Sequence, residues 1–345
     1  MTAALAQREL GRTGLEVSVL GFGGAGIGNL YRPLDDEEAL AAVRESFASG
    51  VRYFDTAPFY GFGLSELRVG AALAGAQPLP VISTKVGRRL VPTGLQDPNI
   101  GRDGYFSPRP FAPVFDYGHD AVMRSHAESL DRLQVSRVDV LLCHDIGRLT
   151  HAEAHAARLR EFLDGGYRAL RELRDAGAVR AIGIGVNEVE VCLELLAKCE
   201  LDCILLAGRY TLLEQPAIEA LLPTCARKNV SIICGGPFNS GILAAGSRAG
   251  AQAHYNYAPP PAPVLERVRH LEALCAEFSV PLQAAALQFP LAHPSVASVV
   301  AGCASAAEAR NCAAMFSHAI PGEFWRALRA RGLVDARAPL PGDPA

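Results

Sequence analysis

Short apolar runs alternate along this chain with longer segments in which apolar and polar positions follow a helical period. Eight runs are strand candidates, and most are continuous rather than alternating. Continuous apolar runs are typical of strands buried on both faces, as in a parallel sheet. The predicted strands are residues 17–23, 51–56, 80–85, 137–144, 179–186, 201–208, 230–236 and 296–302.

The segments between these runs carry helix signals. The first, residues 35–50, begins with four acidic residues and ends at Gly50, which is the expected polarity of a helix start and stop. Amphipathic segments also follow the later runs. Eight β/α units in 345 residues predict an α/β fold of the (β/α)8 TIM-barrel type, with a doubly wound open sheet as the alternative.

Three further features complete the predicted architecture. Residues 8–18 alternate around Gly11 and Gly14 and predict an N-terminal β-hairpin. Two insertions rich in Pro, Gly and aromatic residues, about 87–118 and 245–263, follow strand ends, so both are expected as long loops over the C-terminal face. Because no repeat or linker divides the chain, residues 1–345 are predicted to form a single domain.

Composition and charge exclude several classes of function. The formal net charge is −3 and no run of Lys or Arg occurs, which argues against nucleic acid and anionic membrane as partners. The absence of an apolar signal core or a span of about 20 apolar residues indicates a cytoplasmic protein. The nine cysteines are scattered without a CxxC pair, so we expect buried, reduced thiols.

Two short motifs suggest sites that the surrounding sequence does not support. "GFGGAG" (21–26) matches the dinucleotide fingerprint, but that motif needs a helix at its third glycine, and the acidic helix start comes only at Asp35. We interpret it as a loop that lets a ligand approach the backbone. His151 and His155 have metal-ligand spacing, but no third ligand is evident and no metal site is expected.

Four ionisable residues follow three successive predicted strands. Asp55 ends the second strand and Tyr60 lies in the loop after it, while Lys85 and His144 end the third and fourth. Each alone is equally compatible with a cap, a solvated charge or a hydrogen-bonded core residue. In a barrel, however, the C-terminal ends of the strands build the active site, so the four are expected to face one cavity.

This set of residues has a chemical logic. The pKa of tyrosine is about 10, and a nearby cation such as Lys85 lowers it by favouring the phenolate. Asp55 can pair with Lys85 and keep the ammonium charged when buried. His144 can donate a hydrogen bond to a substrate oxygen, and Tyr60 can then act on that oxygen as general acid or base. Hydride transfer would belong to a nicotinamide cofactor.

The blocks "DTAPFYG", "STKVG", "LLCHD" and "GVN" resemble the signature blocks of the aldo-keto reductase family. The resemblance extends from the N-terminal hairpin through Phe316. It implies a (β/α)8 barrel that binds a nicotinamide dinucleotide without a Rossmann domain. The family's catalytic tetrad falls on Asp55, Tyr60, Lys85 and His144.

The resemblance also implies a cofactor site, with some departures from the commonest family pattern. Val186 replaces a serine before Asn187, which should still hold the nicotinamide carboxamide, and Gly235 stands where many members have a stacking tyrosine. Near the 2′-phosphate of NADP the chain has Ala304 and Glu308, so NAD is favoured over NADP, although Arg310 is close. The implied cofactor residues are Gly24, Asp55, Asn187, Gly235, Pro237, Phe238, Asn239, Ser240, Gly302, Ser305 and Glu308.

The phrases "HDIGRLTH", "LLAGRYTLLEQ" and "GGPFNSGIL" resemble one subgroup of the family. Its members oxidise the anomeric hydroxyl of aldoses such as L-fucose, L-galactose or D-arabinose, or the hemiacetal of pyridoxal, to a lactone. An aldose 1-dehydrogenase is the leading hypothesis. Pyridoxal 4-dehydrogenase, a general carbonyl reductase and a non-catalytic nicotinamide-binding barrel are the alternatives. The candidate substrate residues are Phe59, Arg88, Asp145 and Arg148. The sequence does not determine the oligomeric state.

Overall fold

The structure, a computed structural model, describes residues 5–94, 96–250 and 254–343. An N-terminal hairpin of β1 (Gln7–Glu9) and β2 (Glu16–Ser18) precedes a closed barrel of eight parallel strands. The barrel strands are β3 (Leu20–Gly23), β4 (Tyr53–Asp55), β5 (Val81–Val86), β8 (Val140–His144), β9 (Ala181–Val186), β10 (Cys203–Ala207), β11 (Ser231–Gly235) and β12 (Val296–Gly302).

Each of the eight predicted apolar runs overlaps one barrel strand, in the order β3-β4-β5-β8-β9-β10-β11-β12 around the closed sheet. The (β/α)8 prediction is therefore confirmed, and the open-sheet alternative is wrong. The register is parallel at every barrel step; Gly23 pairs with Asp55, and Asp55 pairs with Ser83. These pairings bring the C-terminal ends of neighbouring strands to one face, where the predicted tetrad lies.

Helices cover the outside of the barrel. The main ones are α1 (Asp36–Ala48), α2 (Leu64–Leu73), α3 (His119–Leu133), α4 (Arg148–His151), α5 (His155–Glu161), α6 (Tyr167–Asp175), α7 (Glu190–Leu196), α8 (Leu221–Lys228), α9 (Ile242–Ala245), α10 (Ala262–Glu277), α11 (Leu282–Gln288), α12 (Ala306–Phe316) and α13 (Gly322–Ala330). Among the described residues, no helix is long and apolar enough to cross a membrane.

The core has an inner and an outer part. Inside the barrel, Tyr53, Leu142 and Leu205 pack with Leu10 and Leu15 of the N-terminal hairpin. The hairpin therefore packs against the barrel interior. A larger apolar cluster fills the layer between strands and helices, and all nine cysteines are buried free thiols. The prediction of buried, reduced cysteines is confirmed.

The first insertion is more ordered than the predicted loop. It contains an antiparallel pair, β6 (Arg88–Pro92) and β7 (Phe111–Phe115), in which Arg88 pairs with Phe115. The sequence did not predict these two strands, because the insertion is rich in Pro and Gly. The strands are stabilised by pairing with each other across 18 intervening residues. Between them, Ser107 donates a hydrogen bond to the Gly61 carbonyl (2.7 Å) and fixes the insertion next to the Tyr60 loop.

Two other segments bear on the sequence motifs. After "GFGGAG" the chain makes only a short 3₁₀ turn, Gly26–Gly28, and α1 starts at Asp36 with Asp35 as its cap, so no helix opens on the third glycine. In the second insertion, residues 251–253 lie outside the described residues, and Tyr255 and Ala258 form an isolated bridge.

Candidate active site

A buried ion pair lies at the centre of the predicted site. The Lys85 Nζ donates to Asp55 Oδ2 at 2.6 Å and to the Thr56 carbonyl at 2.8 Å, and both charged side chains are almost fully buried. Asp55 Oδ1 accepts a further bond from the Ser83 hydroxyl at 2.7 Å. The neighbouring ends of β4 and β5 impose this pairing, and the extra hydrogen bonds offset the cost of burying two charges.

Tyr60 lies next to this pair on the loop after β4. The Lys85 ammonium sits 4.6 Å from the centroid of the Tyr60 ring, and the His144 ring meets it edge-on at 5.8 Å. The expected lowering of the Tyr60 pKa is wrong for this arrangement. Burial raises the pKa of the phenol well above its usual value, and the nearby Asp55 carboxylate raises it further. Tyr60 is therefore a neutral phenol at physiological pH.

His144 ends β8 with a buried side chain. Burial, together with the charges of Arg88 and Lys85, lowers its pKa well below the usual value, so the imidazole is neutral. Its Nδ1 is buried without a hydrogen-bond partner among the described residues, while Nε2 lies 3.5 Å from Asp145 Oδ2. A neutral imidazole has one N–H, which suits it to donate one hydrogen bond to a substrate oxygen.

Three of the four predicted substrate residues meet beside His144. Arg88 forms an ion pair with Asp145 (2.7 Å), and its guanidinium lies 4.0 Å from the centroid of the Phe59 ring. The fourth, Arg148, is exposed, and its backbone amide donates to the Glu188 carboxylate (3.1 Å). The structure therefore brings together Phe59, Arg88 and Asp145 and leaves the Arg148 side chain in solvent.

Two aromatic residues of the first insertion complete the site, and the sequence reasoning did not name them. Tyr105 is buried, with its ring 5.3 Å from that of Phe59 and stacked at 6.2 Å on that of Tyr60. Phe115 lies 4.9 Å from the Arg88 guanidinium. Their only sequence signal is the aromatic content of the first insertion, which does not say which rings point inward.

The loop after β11 is a tight turn with one unpaired polar group. Gly235 ends the strand without a ring, Pro237 is buried and Phe238 is half-buried. Asn239, Ser240 and Gly241 have positive φ angles of 47°, 61° and 110°. The amides of Asn239 and Gly241 donate to carbonyls within the loop, those of Gly236 (2.9 Å) and Phe238 (3.0 Å). Asn239 Oδ1 is buried without a hydrogen-bond partner in the described part of the chain. A dinucleotide fits this acceptor through its N–H or O–H groups, not through its phosphates.

The remaining predicted cofactor residues differ in how the structure uses them. Asn187 follows β9, half-buried at the same face. Gly24 donates its amide to the Asp55 carbonyl (2.7 Å), and a Cβ there would lie 2.6 Å from the Ser65 hydroxyl. Close packing of the β3 and β4 ends thus explains this glycine without reference to a ligand.

The loop after β12 is held by a capping arrangement. Gly302 is exposed, and Ser305 caps α12 by accepting from the Glu308 amide (3.2 Å). The Glu308 carboxylate turns back to accept from the Ala304 amide (2.7 Å). Arg310 is paired with Glu45 on α1 (2.8 Å) and so is directed away from this loop.

The two histidines with metal-ligand spacing contact different partners. His151 Nε2 is 2.9 Å from the Tyr117 hydroxyl, and His155 Nε2 is 3.1 Å from Glu194. Within residues 5–94, 96–250 and 254–343, no group of three or more His, Cys, Asp or Glu side chains could hold a metal ion.

Comparisons with known proteins agree with this geometry. The model of the Aldo/keto reductase family matches residues 19–331. The chain is 43% identical to pyridoxal 4-dehydrogenase of Microbacterium luteolum, covering 95% of this chain and 98% of that protein. It is 38% identical to D-threo-aldose 1-dehydrogenase of a Pseudomonas species, covering 93% and 96%. The holo form of an aldo-keto reductase from Bacillus halodurans superposes with a TM-score of 0.74 at 25% identity, covering 96% and 97%.

The family resemblance drawn from the four sequence blocks is therefore confirmed. The chain belongs to the aldo/keto reductase family, whose members are oxidoreductases that bind nicotinamide cofactors.

Proposed function

We propose that this protein is an NAD(P)-dependent dehydrogenase that oxidises the hydroxyl of a cyclic hemiacetal to a lactone. The observation that carries the proposal is the cluster at the barrel mouth, in which Tyr60 and His144 lie beside the buried Lys85–Asp55 pair. The cofactor would supply a hydride acceptor at this cluster, held by Asn187 and by the turn at Asn239 and Ser240.

Each side chain of the tetrad would have its own role in the rest of the reaction. His144 would donate its single N–H to the oxygen of the hemiacetal and orient the reacting carbon. Tyr60 would take the proton of the hydroxyl as hydride leaves that carbon. Because burial raises the pKa of Tyr60, its deprotonation requires a cation close by, and the Lys85 ammonium lies 4.6 Å from the centroid of its ring. Asp55 keeps Lys85 charged and in place.

Pyridoxal is our first candidate for the substrate. The site is walled by the rings of Phe59, Tyr105 and Phe115, which suit a flat aromatic ligand. In the hemiacetal of pyridoxal, a phenolate oxygen is attached beside the carbon that carries the reacting group. Arg88, adjacent to His144 through Asp145, is positioned to pair with that oxygen. The 43% identity to a pyridoxal 4-dehydrogenase supports the same choice.

An aldose is the second candidate, favoured by the same ion pair. Arg88 offers donors and Asp145 offers acceptors 2.7 Å apart, and such a pair can hold neighbouring sugar hydroxyls. The relative named D-threo-aldose 1-dehydrogenase, 38% identical, supports this alternative.

We further propose that NAD is preferred over NADP. The Glu308 carboxylate lies at the start of α12, where a 2′-phosphate would meet like charge, and Arg310 is paired with Glu45. The contact between Glu308 and the Ala304 amide stabilises the loop, and the side chain at position 304 offers no positive charge to a phosphate.

Absorbance at 340 nm tests the proposal. The purified protein is mixed with NAD⁺ or NADP⁺ and with pyridoxal, L-fucose, L-galactose or D-arabinose, and lactone formation is checked by mass spectrometry. We expect turnover of pyridoxal with NAD⁺. Turnover of sugars alone would select the second candidate. Tight binding of cofactor without turnover of any hemiacetal or carbonyl compound would refute the enzyme and indicate a non-catalytic nicotinamide-binding barrel.

A further inference from the structure

One carboxylate oxygen lies between a cation and the predicted hydrogen-bond donor. Asp145 Oδ2 is 2.7 Å from an Arg88 nitrogen and 3.5 Å from His144 Nε2. The Asp145 side chain is largely buried beside the tetrad, and Arg88 is held between the Phe59 and Phe115 rings. The arrangement links the first insertion to the end of β8.

The backbone is strained to place this carboxylate. Asp145 has a φ of +49°, a left-handed conformation that non-glycine residues seldom adopt. The conformation is fixed by the Asp145 amide, which donates to the Gly185 carbonyl (2.9 Å), and by the Tyr117 hydroxyl, which lies 3.1 Å from the Asp145 carbonyl. Such strain tends to occur where a side chain must be held in a functional position.

The two nitrogens of His144 have different surroundings. Nδ1 is buried without a partner among the described residues, so Nε2 is the nitrogen left to meet a substrate oxygen. With the proton on Nδ1, a buried donor would lack an acceptor, and the Nε2 lone pair would face the Asp145 carboxylate. With the proton on Nε2, the donor faces that carboxylate. In a neutral imidazole, the partner of one nitrogen decides which nitrogen carries the proton.

We infer that Asp145, held by Arg88, is a positioning residue that keeps the proton of His144 on Nε2. Asp145 acts through His144 and does not itself exchange a proton with the substrate. The catalytic consequence rests on the proposed function, because a misplaced proton would leave His144 unable to donate to the hemiacetal oxygen. The placement of the proton is a property of the protein alone.

The test reads the histidine directly. Two-bond ¹H–¹⁵N correlation spectra of protein labelled with ¹⁵N-histidine distinguish the two neutral tautomers, and His144→Gln assigns the signal among nine histidines. We expect the Nε2–H form in the native protein. Asp145→Gly removes the acceptor and suits the positive φ, and it should raise the Nδ1–H fraction and lower kcat at least about tenfold with an unchanged cofactor Kd.

Companion variants separate positioning from other roles. Asp145→Asn keeps an acceptor oxygen and tolerates the left-handed conformation, so it should retain most of the Nε2–H form and of kcat. Arg88→Met should raise the Nδ1–H fraction of His144 less than Asp145→Gly does. It tests the same Arg88–Asp145–His144 interaction if Asp145→Gly does not fold. Arg137→Met, which removes an Arg–Asp pair (3.4 Å) before β8, should change nothing.

Two results would overturn the inference. The first is an unchanged Nε2–H tautomer in both Asp145→Gly and Arg88→Met. The second is a loss confined to KM, which would make Asp145 a substrate-binding residue only. Because the spectra need no substrate, failure of the proposed function would leave the tautomer result readable.

Discussion

Replacing Tyr60 by phenylalanine separates proton transfer from every other role of this residue. The change removes one oxygen and keeps the ring that lies over Lys85 and against His144 and Tyr105. Tyr60 is half-buried, and the change leaves its ring contacts in place. Stability should therefore change by less than about 1 kcal/mol.

Catalysis should respond very differently. Loss of a positioned general acid or base lowers the rate by about 10²- to 10⁴-fold. At about 1.4 kcal/mol per factor of ten, the substitution removes about 3–5 kcal/mol of transition-state stabilisation. The Kd for NAD⁺ should stay within about twofold, because the phenol is not part of the turn at Asn239 and Ser240 that we propose to hold the cofactor.

The assay compares Tyr60→Phe with Tyr210→Phe. Tyr210 is a fully buried tyrosine whose hydroxyl lacks a partner among the described residues, and its ring packs against Phe289 away from the tetrad. Turnover is followed at 340 nm, NAD⁺ binding by fluorescence and stability by urea denaturation. A Tyr60→Phe enzyme with more than about a tenth of native kcat would refute the assignment. So would an equal loss in Tyr210→Phe.

Four other predictions follow from the same geometry. Lys85→Met should reduce the free energy of unfolding by about 3–5 kcal/mol, since Asp55 is left buried without its cation, and adding Asp55→Asn should recover much of that loss in urea denaturation. Because burial raises the Tyr60 pKa, kcat/KM for oxidation should rise with pH through the alkaline range without a plateau below about pH 10; a plateau near neutrality would contradict this. Because the His144 pKa is lowered, that histidine should cause no loss of activity between about pH 6 and 8. Glu308→Arg should raise kcat/KM for NADP⁺ relative to NAD⁺ more than Glu308→Gln does, and an unchanged ratio would place the 2′-hydroxyl elsewhere.

The barrel and the tetrad were predictable because both depend on local sequence. A strand buried on both faces must be apolar along its whole length, so eight apolar runs marked eight strands. Parallel strands bring their C-terminal ends to one face, so polar residues such as Asp55, Lys85 and His144 at those ends had to converge. These features follow from burial and strand direction, and the order of apolar and polar residues in the sequence reflects both.

The sequence pattern did not predict the contacts between distant segments, because such contacts leave no periodic signal in the sequence. The pairing of Arg88 with Asp145, the stacking of Tyr105 on Tyr60 and the β6–β7 hairpin all join an insertion to the barrel. The direction of the Tyr60 pKa shift was missed for the same reason, because burial depends on rings that come from elsewhere in the chain. The sequence alone determined the fold and which ionisable groups end its neighbouring strands. The tertiary structure decided their surroundings, since solvent exclusion and side-chain pairing exist only once distant segments pack together.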